Sequence, residues 1–250
     1  MKIIICGKGG CGKSTVATLL ARAYEREGRN VLVVDSDESN YGLHRQLGLD
    51  LPEDFTHYFG GKKGAYKVFD DKGCVFDTKW SISDIPDEYL SGENNLHMLA
   101  VGKIAEAEEG CACGMGFTAK MFLDNLETSE NDVVIVDTEA GVEHFGRGLD
   151  RFADVILMII DPSFESIHLS GKIYDMGRSL EKPVYFILNK VSEEQAEMVK
   201  EAVRDKEAVI ASVPSDPAIL MAGLKGDALD ADVPEIRKVT DQLSVLQHRN

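Results

Sequence analysis

Short, almost unbroken runs of Val, Ile and Leu recur along the chain: Ile3–Cys6, Val31–Val34, Leu96–Val101, Val133–Val136, Val155–Ile160, Val184–Leu188 and Val209–Val213. Several have no polar residue in every second place, so they predict strands covered on both faces, as in a parallel sheet. Between the runs, apolar residues return at helical spacing. Lys13–Glu27 carries Val16, Leu19, Leu20 and Tyr24 in this way, and Phe117–Leu126 carries Phe117, Met121, Phe122 and Leu126. Ser166–Leu180, Ser192–Val203 and Pro234–Gln247 read similarly. Strands alternating with helices predict a single α/β domain over residues 1–250: a doubly wound, mostly parallel sheet of about seven or eight strands flanked by helices. The segment Leu51–Asn95 is less regular. It holds Gly60-Gly61, Lys62, Lys63, Cys74 and the only tryptophan, Trp80, and reads as an insertion between strands with a small hairpin.

Composition narrows the partners. With 250 residues and 44% apolar content, the chain can bury a full core without a disulfide or metal staple. Lys and Arg total 27 against 43 Asp and Glu, a net charge of −16. Such a surface repels phosphate backbones, which argues against nucleic acid or an anionic membrane as a general partner. No apolar run is long enough for a membrane-spanning helix, and Met1–Gly7 is too short for a signal sequence, so a cytoplasmic location is expected. The five cysteines are an odd number, which suits reduced thiols and metal chemistry better than a disulfide framework.

The first strand runs straight into Gly7-Lys8-Gly9-Gly10-Cys11-Gly12-Lys13-Ser14-Thr15, which fits G-x-x-x-x-G-K-[ST]. Glycines let backbone N–H groups converge on an anion, and the following helix adds the positive end of its dipole. Lys13 can reach the β- and γ-phosphates of a nucleotide, and the Ser14 hydroxyl can ligate Mg²⁺. The second lysine, Lys8, makes the loop resemble the deviant phosphate loop of the MinD/ParA-type ATPases, a branch that includes nitrogenase iron protein and several metal-insertion ATPases. That resemblance implies ATP as ligand, a homodimer, and an early lysine that reaches the partner's nucleotide. The plainer reading of Lys8 is a solvated loop lysine.

The resemblance extends along the chain in order. The second strand ends in Asp35-Ser36-Asp37, where Asp37 matches the family aspartate that orients the attacking water and Asp35 would assist near the Mg²⁺ shell. Strand-end acids can also simply cap the next helix. The run Asp132–Asp137 continues as Thr138-Glu139-Ala140-Gly141. Asp137 fits the aspartate of the Mg²⁺ shell, and Gly141 the glycine whose N–H meets the γ-phosphate. Asn189-Lys190, at the end of another strand, and Val213-Pro214-Ser215-Asp216, after the last, resemble the family's base site; here Asn189, Lys190, Pro214 and Asp216 are the candidates.

Gly110-Cys111-Ala112-Cys113-Gly114 sets two thiols one residue apart. Thiolates suit soft ions, and a closed tetrahedral site needs four. A two-fold dimer would bring two such pairs together. Two small buried residues are the bland alternative. With Asp137-Thr138-Glu139-Ala140-Gly141-Val142-Glu143-His144, the pair resembles the carbon monoxide dehydrogenase maturation ATPases of the CooC type. That resemblance implies nickel or zinc at Cys111 and Cys113, shared across the dimer, and a carbon monoxide dehydrogenase-type nickel enzyme as client. Two alternatives from other classes remain at this point: an ATP-driven iron–sulfur reductase or cluster-assembly ATPase, and a spatial organiser without metal. His144 could sense the dimer interface or simply be packed, and no histidine falls at zinc-motif spacing.

Overall fold

The computed structural model describes residues 1–64, 67, 76, 78–104 and 113–247, the side chain of Cys113 excepted. Among these, eight strands form one sheet: β1 (Lys2–Gly7), β2 (Asn30–Asp35), β3 (Ser91–Glu93), β4 (Leu96–Ala100), β5 (Asp132–Asp137), β6 (Val155–Ile160), β7 (Val184–Asn189) and β8 (Val209–Val213). Their spatial order is β3-β4-β2-β5-β1-β6-β7-β8. Every neighbouring pair is parallel except β3 with β4, the antiparallel hairpin at the edge.

The apolar runs are buried on both faces, as their lack of alternation requires. On β1, Ile3 and Ile5 join one core layer and Ile4 and Cys6 the other, all four at most 1% exposed. The first layer is completed by α1 (Lys13–Arg26) and α8 (Pro234–Gln247), through Val16, Leu20, Ile236 and Val239. The second is completed by α3 (Cys113–Asn125), α5 (Phe164–Ser179) and α6 (Glu193–Ala202), through Phe122, Ile173 and Val199. Each such side chain contributes about 1.5–3 kcal/mol of burial free energy.

Three short helices have no counterpart in the hydrophobic pattern: α2 (Leu43–Gln46), α4 (Glu143–Arg147) and α7 (Pro217–Lys225). Each offers the core too few residues for a stripe: Leu43 on α2, His144 on α4, and the partly buried Ile219 and Ala222 on α7. No residue of α7 is buried, and its start is fixed by Asp216, whose carboxylate accepts from Ala218 N–H at 2.7 Å, and by Pro217 in the first turn. Of the hairpin expected within Leu51–Asn95, only β3 falls inside the segment; it pairs with β4, the strand expected at Leu96–Val101. The described remainder of that segment is not an appendage, because Phe55, Phe59, Ile82, Ile85 and Tyr89 are buried in the second layer. Phe55 meets Tyr89 and Phe122 edge-on at ring separations of 5.5 and 5.3 Å. No helix among the described residues is long and apolar enough to cross a membrane.

Candidate nucleotide site

β1 lies between β5 and β6 at the point where the chain's crossovers change direction, the place beyond the strand ends where sheets of this kind take ligands. The loop Gly7–Gly12 occupies it. Two of its glycines are sterically required. A Cβ on Gly7, at φ 145°, would stand 2.5 Å from the Ile159 carbonyl oxygen. One on Gly12, at φ 101°, would run into the Asn189 amide. Gly9 and Gly10 stay exposed at the loop tip, and Cys11 is fully buried beneath it. No side chain caps α1 and no acid occupies its first turn, so Lys13, Ser14 and Thr15 begin a helix whose N-terminus is available to an anion.

The loop is held from β7. Asn189 Nδ2 donates to the Cys11 carbonyl at 2.8 Å, and Lys190 Nζ to the Gly10 carbonyl at 2.8 Å. Lys190 adopts φ 60°, which turns the chain back after the strand end. These residues therefore buttress the phosphate loop, a role their spacing in the sequence does not announce. Pro214 and Asp216 are exposed beyond β8.

Lys13 is only 7% exposed. Beside it, Ser14 Oγ donates to Asp137 Oδ2 at 2.5 Å, and Asn40 Nδ2 donates to Ser14 Oγ at 2.7 Å. The other Asp137 oxygen, Oδ1, is buried with no hydrogen-bond partner. A hard cation would satisfy it, and hydroxyl and carboxylate oxygens are the donors Mg²⁺ prefers, so this pair fits Mg²⁺. Burial raises the Asp137 carboxyl to about 6, against the Ser14 hydrogen bond and the Lys13 charge.

Asp35 and Asp37 have separate surroundings. Asp35 is 1% exposed and receives Lys103 Nζ on Oδ2 at 2.6 Å. Burial drives its carboxyl up to about 7, with Lys103 opposing. Asp37 is half-buried and its Oδ1 accepts from Ser39 N–H and Ser39 Oγ at 3.0 and 2.6 Å, a local turn cap. Lys103 also donates to the Asp37 carbonyl at 2.7 Å. The residues after β2 are thus pinned by a lysine 68 positions from Asp35 in sequence.

Beyond β5, Gly141 at φ 91° donates its N–H to the Gly7 carbonyl at 3.1 Å. The amide that the family resemblance assigns to a γ-phosphate is therefore engaged with the loop here. Arg147 stands between two acids, 3.2 Å from Glu139 and 3.6 Å from Glu38. Burial raises the Glu139 carboxyl to about 7, and Arg147 counters it. His144 and Asp150 face each other 3.6 Å apart, both fully buried. Desolvation holds His144 near 3, helped by the charges of Lys13 and Arg147, and lifts Asp150 to about 7. A neutral packed histidine is what this environment favours. Lys8, a third exposed, pairs with Asp161 at the end of β6 at 3.2 Å.

Sequence reasoning thus placed Lys13, Ser14, Asp35, Asp37, Asp137 and Gly141 at one end of the sheet, and they meet there. It missed Asn40, Lys103, Arg147 and Asp161. A charged residue two positions after an apolar run was the only hint of Lys103. Cys111 lies outside the described residues, and of Cys113 only the backbone, opening α3, is described. Among the described residues, no three His, Cys, Asp or Glu side chains are grouped to hold a metal ion.

Residues 2–229 match the CobQ/CobB/MinD/ParA nucleotide binding domain. The chain belongs to this family of nucleotide-binding ATPases. It is 49% identical over 249 residues to an uncharacterized ATP-binding protein of Methanocaldococcus jannaschii, covering 98% of this chain and 100% of that one. It is 30% identical over 234 residues to the carbon monoxide dehydrogenase accessory protein CooC of Rhodospirillum rubrum, covering 90% and 88% respectively. The fold superposes on the cell division ATPase MinD of Pyrococcus furiosus with a TM-score of 0.67 at 21% identity, over 98% of this chain and 99% of that one.

Proposed function

We propose that the chain acts as a homodimeric ATPase whose nucleotide state governs how it holds a soft metal, nickel or zinc, for a carbon monoxide dehydrogenase-type nickel enzyme. The observation that carries this reading is Cys111-Ala112-Cys113 in a chain 30% identical over 234 residues to CooC. One pair supplies two thiolates, and a two-fold dimer supplies the four of a closed tetrahedral site.

In this reading the backbone of Gly9, Gly10, Cys11 and Gly12 and the first turn Lys13-Ser14-Thr15 cradle the phosphates of ATP. Lys13 pairs with the β- and γ-phosphates. Ser14 and Asp137 hold Mg²⁺, which when bound neutralises charge on the phosphate oxygens. Asp37 orients the attacking water, with Asp35 supporting the strand end behind it. Asn189, Lys190, Pro214 and Asp216 border the base. Three contacts give way as the ligand binds: Asn40 leaves Ser14 Oγ, Gly141 leaves the Gly7 carbonyl, and Lys8 leaves Asp161 for the partner's nucleotide.

The test is a zinc titration followed by sedimentation. One ion per dimer is expected, with metal-driven dimerisation that weakens as pH falls because protons compete for thiolate. Cys111→Ser and Cys113→Ser should each abolish it and leave ATP binding intact. One ion per monomer, or binding that survives both substitutions, would overturn the shared site and point to Cys74.

A further inference from the structure

The Ser14 hydroxyl has a partner on both sides. It donates its proton to Asp137 Oδ2 at 2.5 Å and accepts from Asn40 Nδ2 at 2.7 Å. The other end of the same amide fixes this orientation, because Asn40 Oδ1 accepts from Gly42 N–H at 2.9 Å. Turning the amide over would set its oxygen against a hydroxyl whose proton is spent on Asp137. It would also set its NH₂ group against the Gly42 N–H. Only one arrangement satisfies both ends, and in it Asn40 presents a donor to Ser14.

Toward a hydroxyl oxygen, an amide N–H and a cation do the same thing: each offers positive charge to a lone pair. The Asn40 amide therefore plays on Ser14 the part that Mg²⁺ plays in the site proposed above. It does that part incompletely. Asp137 is 0% exposed, and its Oδ1 has no hydrogen-bond partner. One neutral donor satisfies the hydroxyl and leaves the carboxylate oxygen over, whereas a divalent cation takes several oxygens at once. Asn40 is also tied to the residues before and after it. Its N–H donates to the Asp37 carbonyl at 3.3 Å, the same carbonyl that accepts from Lys103 Nζ at 2.7 Å, and Tyr41 Oη donates to the Ile104 carbonyl. The Ser14 contact thus ties residues 37–41 to the helix that opens the phosphate site.

We propose that Asn40 is a positioning residue that stands in for Mg²⁺ on Ser14, so that the cation, and not the nucleotide alone, frees residues 37–41 from α1. Two positive partners on one hydroxyl oxygen repel each other, so the amide and the cation exclude one another there. Nucleotide without Mg²⁺ leaves the Asn40–Ser14 bond in place. Nucleotide with Mg²⁺ breaks it, and the segment that carries Asp37 is then released. The inference rests on the assignment of Ser14 and Asp137 to Mg²⁺ in the proposed ATPase.

The experiment measures the affinity of a fluorescent, non-hydrolysable ATP analogue in saturating Mg²⁺ and in EDTA, and reads the ratio of the two. In the wild type, part of what Mg²⁺ contributes is lost in breaking the Asn40 bond. Asn40→Ser is the main variant: its hydroxyl can accept from Gly42 N–H, but it is too short to reach Ser14. The ratio should rise roughly 2- to 12-fold, the range for one neutral hydrogen bond, with the affinity in EDTA as in the wild type. Asn40→Ala should give the same rise. Asn40 is half-buried in a loop outside both core layers, so both variants should fold. A rise in Asn40→Ala alone would trace the effect to the turn at Gly42 and overturn the proposal. So would an unchanged ratio in both variants, or a fall, which would make Asn40 a partner of the bound cation. The wild type separates this inference from the reading beneath it: an affinity indifferent to Mg²⁺ would remove the Ser14–Asp137 cation site and the role of Asn40 together, whereas a Mg²⁺ response shared equally by the variants would remove the role of Asn40 alone.

Discussion

The Lys103 ammonium lies 2.6 Å from the Asp35 carboxylate, with the two side chains 4% and 1% exposed. Their attraction offsets a desolvation cost that neither charge could bear alone. Removing only the lysine should therefore be severe. Lys103→Met should destabilise the protein by about 3–5 kcal/mol at pH 8. The sign of the pH dependence follows from Asp35. Burial raises its folded pKa to about 7 from 3.8, so its ionised form opposes folding as pH rises through that interval. Without Lys103 the folded pKa rises further, and the deficit should shrink as pH falls toward 5. Thermal unfolding at pH 5 and pH 8 checks this; an equal loss at both would mean that the lost packing, not the stranded carboxylate, dominates.

Lys13→Ala should weaken ATP binding by about 1.5–3 kcal/mol, roughly 10- to 150-fold, the range for a charge-assisted hydrogen bond. Its near-complete burial leaves little room for a nearby cation to substitute. Calorimetric titration with ATP and Mg²⁺ reads the effect directly. Wild-type affinity in this variant would sink the phosphate-loop assignment.

Lys8 faces a choice between Asp161 and a partner's nucleotide. If the second role is real, Lys8→Ala should bind ATP normally and lose most of its steady-state turnover. Asp161→Asn, which only frees the lysine, should keep turnover. Equal turnover in wild type and Lys8→Ala would leave the 3.2 Å pair as the lysine's whole function.

Asp37 spends one carboxylate oxygen on the Ser39 cap. Asparagine keeps that cap through its amide oxygen but cannot hold a water as a carboxylate does. Asp37→Asn should thus retain fold and ATP affinity and lose the chemical step, seen as a falling single-turnover rate. Normal hydrolysis in this variant, with loss in Asp35→Asn, would reverse the two assignments.

The sheet was legible because strands buried on both faces must be apolar throughout, and few other structures make that demand. Ile3–Cys6 and Val155–Ile160 could hardly have been anything else. The phosphate loop was legible because its glycines and Lys13-Ser14 are contiguous. Lys103, Arg147 and Asn40 were not, since each acts on a partner brought near only by the fold. The helix over α7 escaped for another reason: it fully buries no residue and rests on the core only through Ile219 and Ala222, too few to leave a periodic trace, and only Asp216-Pro217 marked its start. The resemblance sets Asn189 at the base, whereas in the structure its amide donates to the carbonyl of Cys11.

That last contact has a thermodynamic consequence. Asn189 and Lys190 fix the carbonyls of Cys11 and Gly10 before any phosphate arrives. A glycine-rich loop left free would surrender its backbone entropy at the moment of binding, about 1–2 kcal/mol for each residue ordered. Here most of that cost is met during folding, by hydrogen bonds from a strand on the other side of β6. The affinity of the site for nucleotide is then carried by its charges and amides, reduced only a little by the ordering of the loop that presents them.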